Sequence, residues 1–173
     1  KNDDAESQLY CLEGVTGGTV WKSPYASQSG RYLAPAVANG TVWIQGGRFG
    51  GLSGFSSDKG VQKFFKELGF EPNWTPAFAE NRLFTLVRGA FREHDPSEGE
   101  VRWSLDLGKD LPLFGTQTPV IGEGKAVFQF ISKLVAVDLQ SHQVAWSVAG
   151  QFQGLPALDN STVYIRESGD VGT

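Results

Sequence analysis

The apolar residues of this chain fall in short β-rich runs, and four of the runs share one plan. Each opens on a proline: Pro35-Ala36-Val37, Pro76-Ala77-Phe78, Pro119-Val120-Ile121 and Pro156-Ala157-Leu158. Each is broken by a turn pair, Asn39-Gly40, Glu80-Asn81, Glu123-Gly124 or Asn160-Ser161, and resumes over residues 41–44, 82–85, 125–128 or 162–165. Two such runs around a turn pair predict a hairpin, because two-residue turns of this kind match the twist of paired strands.

Between these hairpins lies a second unit of 13 residues that recurs without gaps: LYCLEGVTGGTVW (9–21), LSGFSSDKGVQKF (52–64), FREHDPSEGEVRW (91–103) and LVAVDLQSHQVAW (134–146). Each copy ends on an aromatic, Trp21, Phe64, Trp103 or Trp146, at spacings of 43, 39 and 43 residues. Four residues before each ring stands Gly17, Gly60, Gly99 or His142, and four before that Glu13, Ser56, Asp95 or Asp138. The glycines suit a turn that needs positive φ; the histidine predicts an altered turn in the last copy. The unit reads as a second hairpin with a longer loop. Residues 61–68 (VQKFFKEL) resemble an amphipathic helix by period alone, but the repeat register makes them a strand with Phe64 in the tryptophan column.

Two hairpins per ~40 residues predict a β-propeller blade of four strands. The proline-led strand is innermost (A), followed by B and C, and the strand with the terminal aromatic is outermost (D). A lone sheet of this kind has two apolar faces, and radial stacking covers both. The terminal ring then fills the wedge between neighbouring blades, with an indole N–H in reach of a backbone carbonyl. The fold class predicted is all-β, a propeller of four-stranded antiparallel blades with about four blade-equivalents. As a single domain over residues 1–173 it divides into strands C–D at 9–22, full blades at 34–66, 75–105 and 118–148, and strands A–B at 155–166.

Cys11, Glu13, Thr16, Gly17 and Trp21 resemble the A-x-D-x-x-T-G-x-x-x-W pattern of quinoprotein (PQQ-like) β-propeller repeats, and Ala136, Asp138 and Trp146 match at the same offsets. The resemblance runs from about Leu9 to Ile165. It carries architecture more than function, since the same blades serve PQQ-dependent dehydrogenases and the non-enzymatic, BamB-like outer-membrane assembly lipoproteins. It implies a bacterial, extracytoplasmic setting, periplasmic or secreted, and rings of seven or eight blades. The chain opens before one C strand and stops before another, so a part of a larger propeller is expected. The alternatives are a self-closed ring, in which residues 162–165 pair with residues 9–12, and a dimer of two four-blade halves. Unclosed ends would leave bare strand edges and a tendency to self-association.

Composition narrows the chemistry. The 173 residues carry a formal net charge of −4, which argues against general nucleic-acid binding. No apolar run approaches the ~20 residues of a transmembrane helix. No stretch reads as a signal peptide, and the lack of Met implies a missing native start. A single cysteine, Cys11, excludes an internal disulfide and any multi-cysteine metal site. The dehydrogenase branch of the resemblance implies PQQ, calcium, a catalytic Asp and commonly two adjacent cysteines. No Cys-Cys pair occurs and no inner-strand Asp stands out, so no catalytic residue and no metal ligand is assigned; PQQ and calcium enter only with the dehydrogenase alternative.

The remaining polar motifs read as structure. Glu13, Asp95 and Asp138 are expected to stabilise the C–D turns. The dense polar stretch at 91–100 (FREHDPSEGE) reads as a solvated hairpin tip, with Glu93 and His94 on opposite faces. His142 reads the same way. The glycine run at 46–51 lacks the Lys-Ser/Thr ending of a phosphate loop and reads as a flexible, widened B–C connection. Cys11, in a small-residue column with Gly54 and Ala136, reads as a buried, inert thiol.

Charge divides by face. The B–C connections carry Arg48, Arg88, Lys133 and Arg166, and the D–A connections on the same face add Arg31, Tyr32, Asn73, Trp74, Gln117 and Gln153. The A–B and C–D turns carry Glu13, Asp58, Glu80, Asp95, Glu98, Glu123, Asp138 and Asp159. An electrically two-sided molecule is expected, with its basic, aromatic face binding a polypeptide or an anionic small molecule. The function expected is a non-catalytic scaffold with a protein partner, BamB-like in one version. The alternatives are a fragment of a PQQ-dependent dehydrogenase and a carbohydrate- or ligand-binding propeller using the Tyr32/Trp74 rim.

Overall fold

The structure, a computed structural model, describes residues 7–26, 34–109 and 117–167. Among these residues it contains strands and no helix. Strands β1 (Ser7–Leu12) and β2 (Thr19–Tyr25) form a hairpin. Three four-stranded antiparallel sheets follow in chain order: β3 (Ala36–Ala38), β4 (Thr41–Gly46), β5 (Gly51–Ser56) and β6 (Gln62–Glu67); β7 (Ala77–Ala79), β8 (Arg82–Val87), β9 (Ala90–His94) and β10 (Val101–Asp106); and β11 (Val120–Gly122), β12 (Lys125–Gln129), β13 (Lys133–Asp138) and β14 (Gln143–Ala149). A last hairpin joins β15 (Phe152–Asp159) to β16 (Thr162–Glu167). The three full sheets are propeller blades, and the two hairpins are half-blades. Residues 62–67 are the strand β6, not a helix.

The A–B turns have the geometry their sequences call for. Both central residues take positive φ in every copy: Asn39 46° and Gly40 72°, Glu80 53° and Asn81 57°, Glu123 50° and Gly124 69°, Asn160 41° and Ser161 66°. That is the mirror-image turn whose twist fits a hairpin. Successive turns are also tied together. Asn39 Nδ2 donates to Asn81 Oδ1 (3.4 Å), Gly124 N to Glu80 Oε1 (3.3 Å) and Ser161 Oγ to Glu123 Oε2 (2.6 Å).

The C–D turns are equally uniform, and His142 does not alter its copy. Gly17, Gly60 and Gly99 have φ of 71°, 67° and 73°, and His142 follows at 59°. In each the turn residue's N–H donates to the carbonyl four residues back, on Glu13, Ser56, Asp95 or Asp138, at 2.8–2.9 Å. The strain of a left-handed histidine is offset by a contact that glycine lacks. Its ring stacks on Trp103 of the preceding blade, with centroids 4.3 Å apart and planes 23° apart. The acids act as turn stabilisers: Asp95 Oδ1 accepts from Ser97 N and Glu98 N, and Asp138 Oδ1 from Gln140 N and Ser141 N. Those backbone donors hold both carboxyls below the ordinary aspartate range. Thr16 Oγ1 donates to Glu13 Oε2.

Four apolar cores lie between the five sheets, one at each junction. Leu9 and Trp21 meet Val42, Ile44 and Phe55. Trp43, Leu52 and Phe64 meet Phe78, Leu83 and Val87. Phe84, Phe91 and Trp103 meet Ala126, Phe128, Val135 and Val137. Val127, Leu134, Ala136 and Trp146 meet Leu158, Val163 and Ile165. Three of the four terminal rings face a small residue across their own sheets: Trp21 opposite Cys11, Phe64 opposite Gly54 and Trp146 opposite Ala136. Cys11 is a half-buried free thiol.

The second full blade departs from that column, and so does the expectation for its polar segment. Glu93 stands opposite Trp103 and its Oε2 accepts the indole N–H at 2.6 Å. Glu93 and His94 are buried, 5% and 0% exposed, and are not a solvated tip. The reason is architectural: a blade has a neighbour on each face, so strand alternation sends one side chain into each junction. The Gly46–Gly51 segment closes tightly around four residues, with Gly50 N donating to Gly47 O (3.1 Å). The corresponding connections have two residues after β8 and three after β12.

Candidate functional site

Antiparallel order puts every B–C and D–A connection at one end of the blades. Hydrogen bonds knit the two within each blade: Leu68 N to Gly50 O (3.1 Å), Leu107 N to Gly89 O (2.8 Å) and Gly150 N to Ser132 O (3.0 Å). The same end is strapped between blades. Trp74 and Gln117 form a parallel bridge, Gln117 N donates to Asn73 O (2.6 Å), and Gln45 Nε2 donates to Glu71 O (2.7 Å). Thr75 and Thr118 share a hydroxyl–hydroxyl bond within this strap.

This strap buries three of the predicted rim residues. Trp74 is 0% exposed and belongs to the core between the first and second full blades, while Asn73 and Gln117 are buried beside it. Trp74 Nε1 and Gln117 Oε1 have no hydrogen-bond partner. A ring so enclosed is packing and offers no face to a ligand. Arg31 and Tyr32 lie outside the described residues.

The other predicted residues remain on the surface of this end. Arg48, Arg88, Gln153 and Arg166 are exposed, and Lys133 is half-buried. The Arg48 guanidinium lies 5.9 Å from the Phe49 ring centre and Lys133 Nζ 5.1 Å from that of Phe130. Arg166 Nη2 donates to Gln153 Oε1 at 2.7 Å. Arg88 adopts a left-handed φ of 55° and lies against Gly69. Burial pushes the Glu71 carboxyl above its ordinary range, against the opposing pull of the Gln117 amide and the Arg88 charge. Arg92 sits deeper, donating from Nη1 to Val87 O (3.1 Å) and Ala90 O (3.2 Å). Burial first, then the charge of Arg88, lowers its pKa.

Two features of this face differ from the sequence expectation. It is mixed in charge, because strands β6, β10 and β16 end there in Glu67, Asp106 and Glu167, and Glu71 adds a further carboxyl. It also carries exposed apolar side chains that sequence reasoning missed: Phe49 (69%), Phe70 (53%) and Ile131 (47%). Their signal was present, since each is a large apolar residue within a connection, where no strand alternation needs it.

The most buried ionic group ties two blades together. Glu93 Oε2 accepts from Arg82 Nη2 at 2.5 Å, Arg102 Nη1 lies 3.6 Å from Oε1, and Arg82 Nη2 also donates to Leu139 O (3.2 Å) in the next blade. Burial pushes the Glu93 carboxyl up. The hydrogen bonds from Arg82 and Trp103 and the two guanidinium charges outweigh burial and hold it below the usual range.

Four-stranded antiparallel sheets stacked face to face around a common end define the class: a β-propeller repeat protein. The sequence model of the family described as outer membrane protein assembly factor BamB matches residues 5–172, and the chain belongs to this family of PQQ-like repeats. No curated protein matches the chain in sequence. Among solved structures, BamB from Moraxella catarrhalis is similar at a TM-score of 0.69 and 15% identity, over 86% of this chain and 49% of that one. The computationally designed Ika8 protein is similar at 0.68 and 12% identity, over 90% of this chain and 48% of that one. Quinohemoprotein alcohol dehydrogenase from Comamonas testosteroni follows at 0.57 and 11% identity, over 72% of this chain and 21% of that one. The chain thus spans about half the length of the BamB structure it matches. At these identities the likenesses speak for the fold.

Proposed function

We propose that this chain is a non-catalytic propeller scaffold that holds a polypeptide partner on the loop face, in an extracytoplasmic, BamB-like role in outer-membrane protein assembly. The observation that carries the reading is the exposed set Phe49, Phe70 and Ile131 at the same end of the blades as Arg48 and Arg88, where hydrogen bonds strap neighbouring blades together. Solvent-exposed aromatic and aliphatic anchors flanked by guanidinium groups suit a segment with apolar and acidic side chains. The family's description as an assembly factor points the same way. Self-association through open blade edges belongs to the same reading.

The reading calls on no cofactor, and PQQ with calcium enters only with the dehydrogenase alternative. Among the described residues no three His, Cys, Asp or Glu side chains gather to hold a metal ion. No helix of the described residues is long and apolar enough to cross a membrane.

The test is capture of an outer-membrane assembly polypeptide from an envelope extract by the immobilised chain. Charge reversal at Arg48, Arg88 and Arg166 together should abolish it while leaving the fold intact, because all three are exposed. Equal capture by the variant removes the reading. PQQ-dependent dye reduction with calcium would favour the dehydrogenase alternative, and binding on a glycan array the carbohydrate one.

A further inference from the structure

The cations of the B–C connections do not share one environment. Arg48 lies on the Phe49 ring, Lys133 on the Phe130 ring, and Arg166 donates to Gln153. Arg88 has no such companion among the described residues. Its side chain is laid along the D–A connection of the preceding blade, where a Cβ on Gly69 would stand 3.0 Å from its Nη1 and 3.1 Å from its Cδ. The blades on both sides of this junction are complete four-stranded sheets.

A second guanidinium stands at the same turn. Arg92, on β9, is half-buried, and its Nη1 donates to Val87 O (3.1 Å) and Ala90 O (3.2 Å), the carbonyls on either side of Arg88-Gly89. Those bonds use one nitrogen, and among the described residues its Nη2 and Nε have no acceptor. The ion pairs among the described residues take Lys66, Arg82 and Arg102, and none takes Arg88 or Arg92. The neighbouring carboxylates are engaged elsewhere. Glu71 feels the Arg88 charge, but its Oε1 faces the Gln117 amide at 3.4 Å, and Asp106 Oδ1 accepts from Gly108 N at 2.9 Å. Two unpaired guanidinium groups at one turn repel each other, and the half-buried one has also lost hydration. Both effects lower the Arg92 pKa.

We propose that Arg88 and Arg92 form a carboxylate-binding site at the loop-face end of the junction between the first and second full blades. A carboxylate set between them accepts from both guanidinium groups and removes their repulsion, and its two oxygens match the planar fork of arginine. Phe70, next to Gly69 and 53% exposed, offers an apolar surface to the carbon chain that carries the carboxylate. That this carboxylate belongs to a polypeptide partner rests on the scaffold reading; the site itself does not.

The test is an NMR titration of the 173-residue chain with glutarate at constant ionic strength, read on the arginine Nε–Hε signals. Two signals should shift saturably, and they should be the two lost in Arg88→Gln and Arg92→Lys. Arg88 is exposed, so Arg88→Gln should fold, and it should weaken glutarate binding at least about tenfold. Arg92→Lys keeps the charge without the fork and should weaken binding by a similar factor. Lys59→Gln removes an equal charge from an exposed C–D turn at the opposite end and should leave the affinity within about twofold. N-acetylglutamate amide and N-acetyl-leucine then present a side-chain and a chain-terminal carboxylate; the tighter of the two names the source, and Arg88-dependent binding of either supports the site. Shifts no larger than sodium chloride gives, or equal affinity in Arg88→Gln, would overturn the inference. Glutarate needs no partner, so its binding without polypeptide capture removes the scaffold reading alone, and capture without glutarate binding removes the site alone.

Discussion

His94 should make this fold sensitive to mild acid. Its ring is fully buried between Thr85 and the C–D turn of its own blade. Nδ1 lies 2.9 Å from the Gly99 carbonyl, so it carries the proton, and Nε2, 2.9 Å from Thr85 Oγ1, accepts from the hydroxyl. The neutral ring is fully satisfied. Burial foremost, with the Arg92 and Lys66 charges, pushes its pKa down to about 4, against the upward pull of the Gly99 carbonyl. From an ordinary value of 6.5, the unfolded chain takes up the proton first as pH falls. The stabilisation of the neutral folded form is therefore complete above about pH 6.5 and is lost progressively down to about pH 4. At ~1.4 kcal/mol per pH unit the full effect is about 3 kcal/mol, of which roughly a third to a half is lost by about pH 5.5 and most of it by about pH 4.5. Urea unfolding followed by tryptophan fluorescence should show this slope in the native chain. His94→Gln should lie below it by about 1–2 kcal/mol near neutrality and lack the slope between those pH values. Glu93 adds a loss of its own at lower pH in both proteins, since its folded pKa is depressed. Parallel curves for the two proteins down to about pH 4.5 would refute the buried, neutral histidine.

Other substitutions separate junction contacts from local strain. Gly99→Ala forces a side chain into a left-handed φ and against the Phe64 ring, and should cost more than about 2 kcal/mol; Gly17→Ala meets the strain alone and should cost about 1 kcal/mol, both by urea unfolding. Glu93→Ala strands Arg82 and the Trp103 indole and should cost about 2–4 kcal/mol, whereas Arg102→Ala, removing a half-exposed partner, should change stability by less than about 1 kcal/mol. His142→Ala loses the Trp103 stack while keeping the strained φ and should cost about 1 kcal/mol in thermal unfolding; His142→Gly, which relieves the strain, should come within about 0.5 kcal/mol of the native chain.

The blade plan was legible because it is written locally and then repeated. Asn39-Gly40 and Glu80-Asn81 announce left-handed turn pairs, and Gly60 or Gly99 announces the C–D turn four residues before its ring. The loop-face cations were legible for the same reason, since connection residues follow from strand order. What failed was the wet side assumed for particular residues. Trp74 was read as a rim aromatic, and Glu93 and His94 as a solvated tip, yet all three are buried. His142 was expected to alter its turn, and the missing reason is Trp103, which reaches it from the preceding blade. Turn signals, strand order and the spacing of the rings are determined by neighbours a few residues apart, so the chain alone determines them. Which side chains are enclosed, and which charges must be paired, depends on a sheet some 40 residues distant in sequence, and only the stacking of blade on blade decides it.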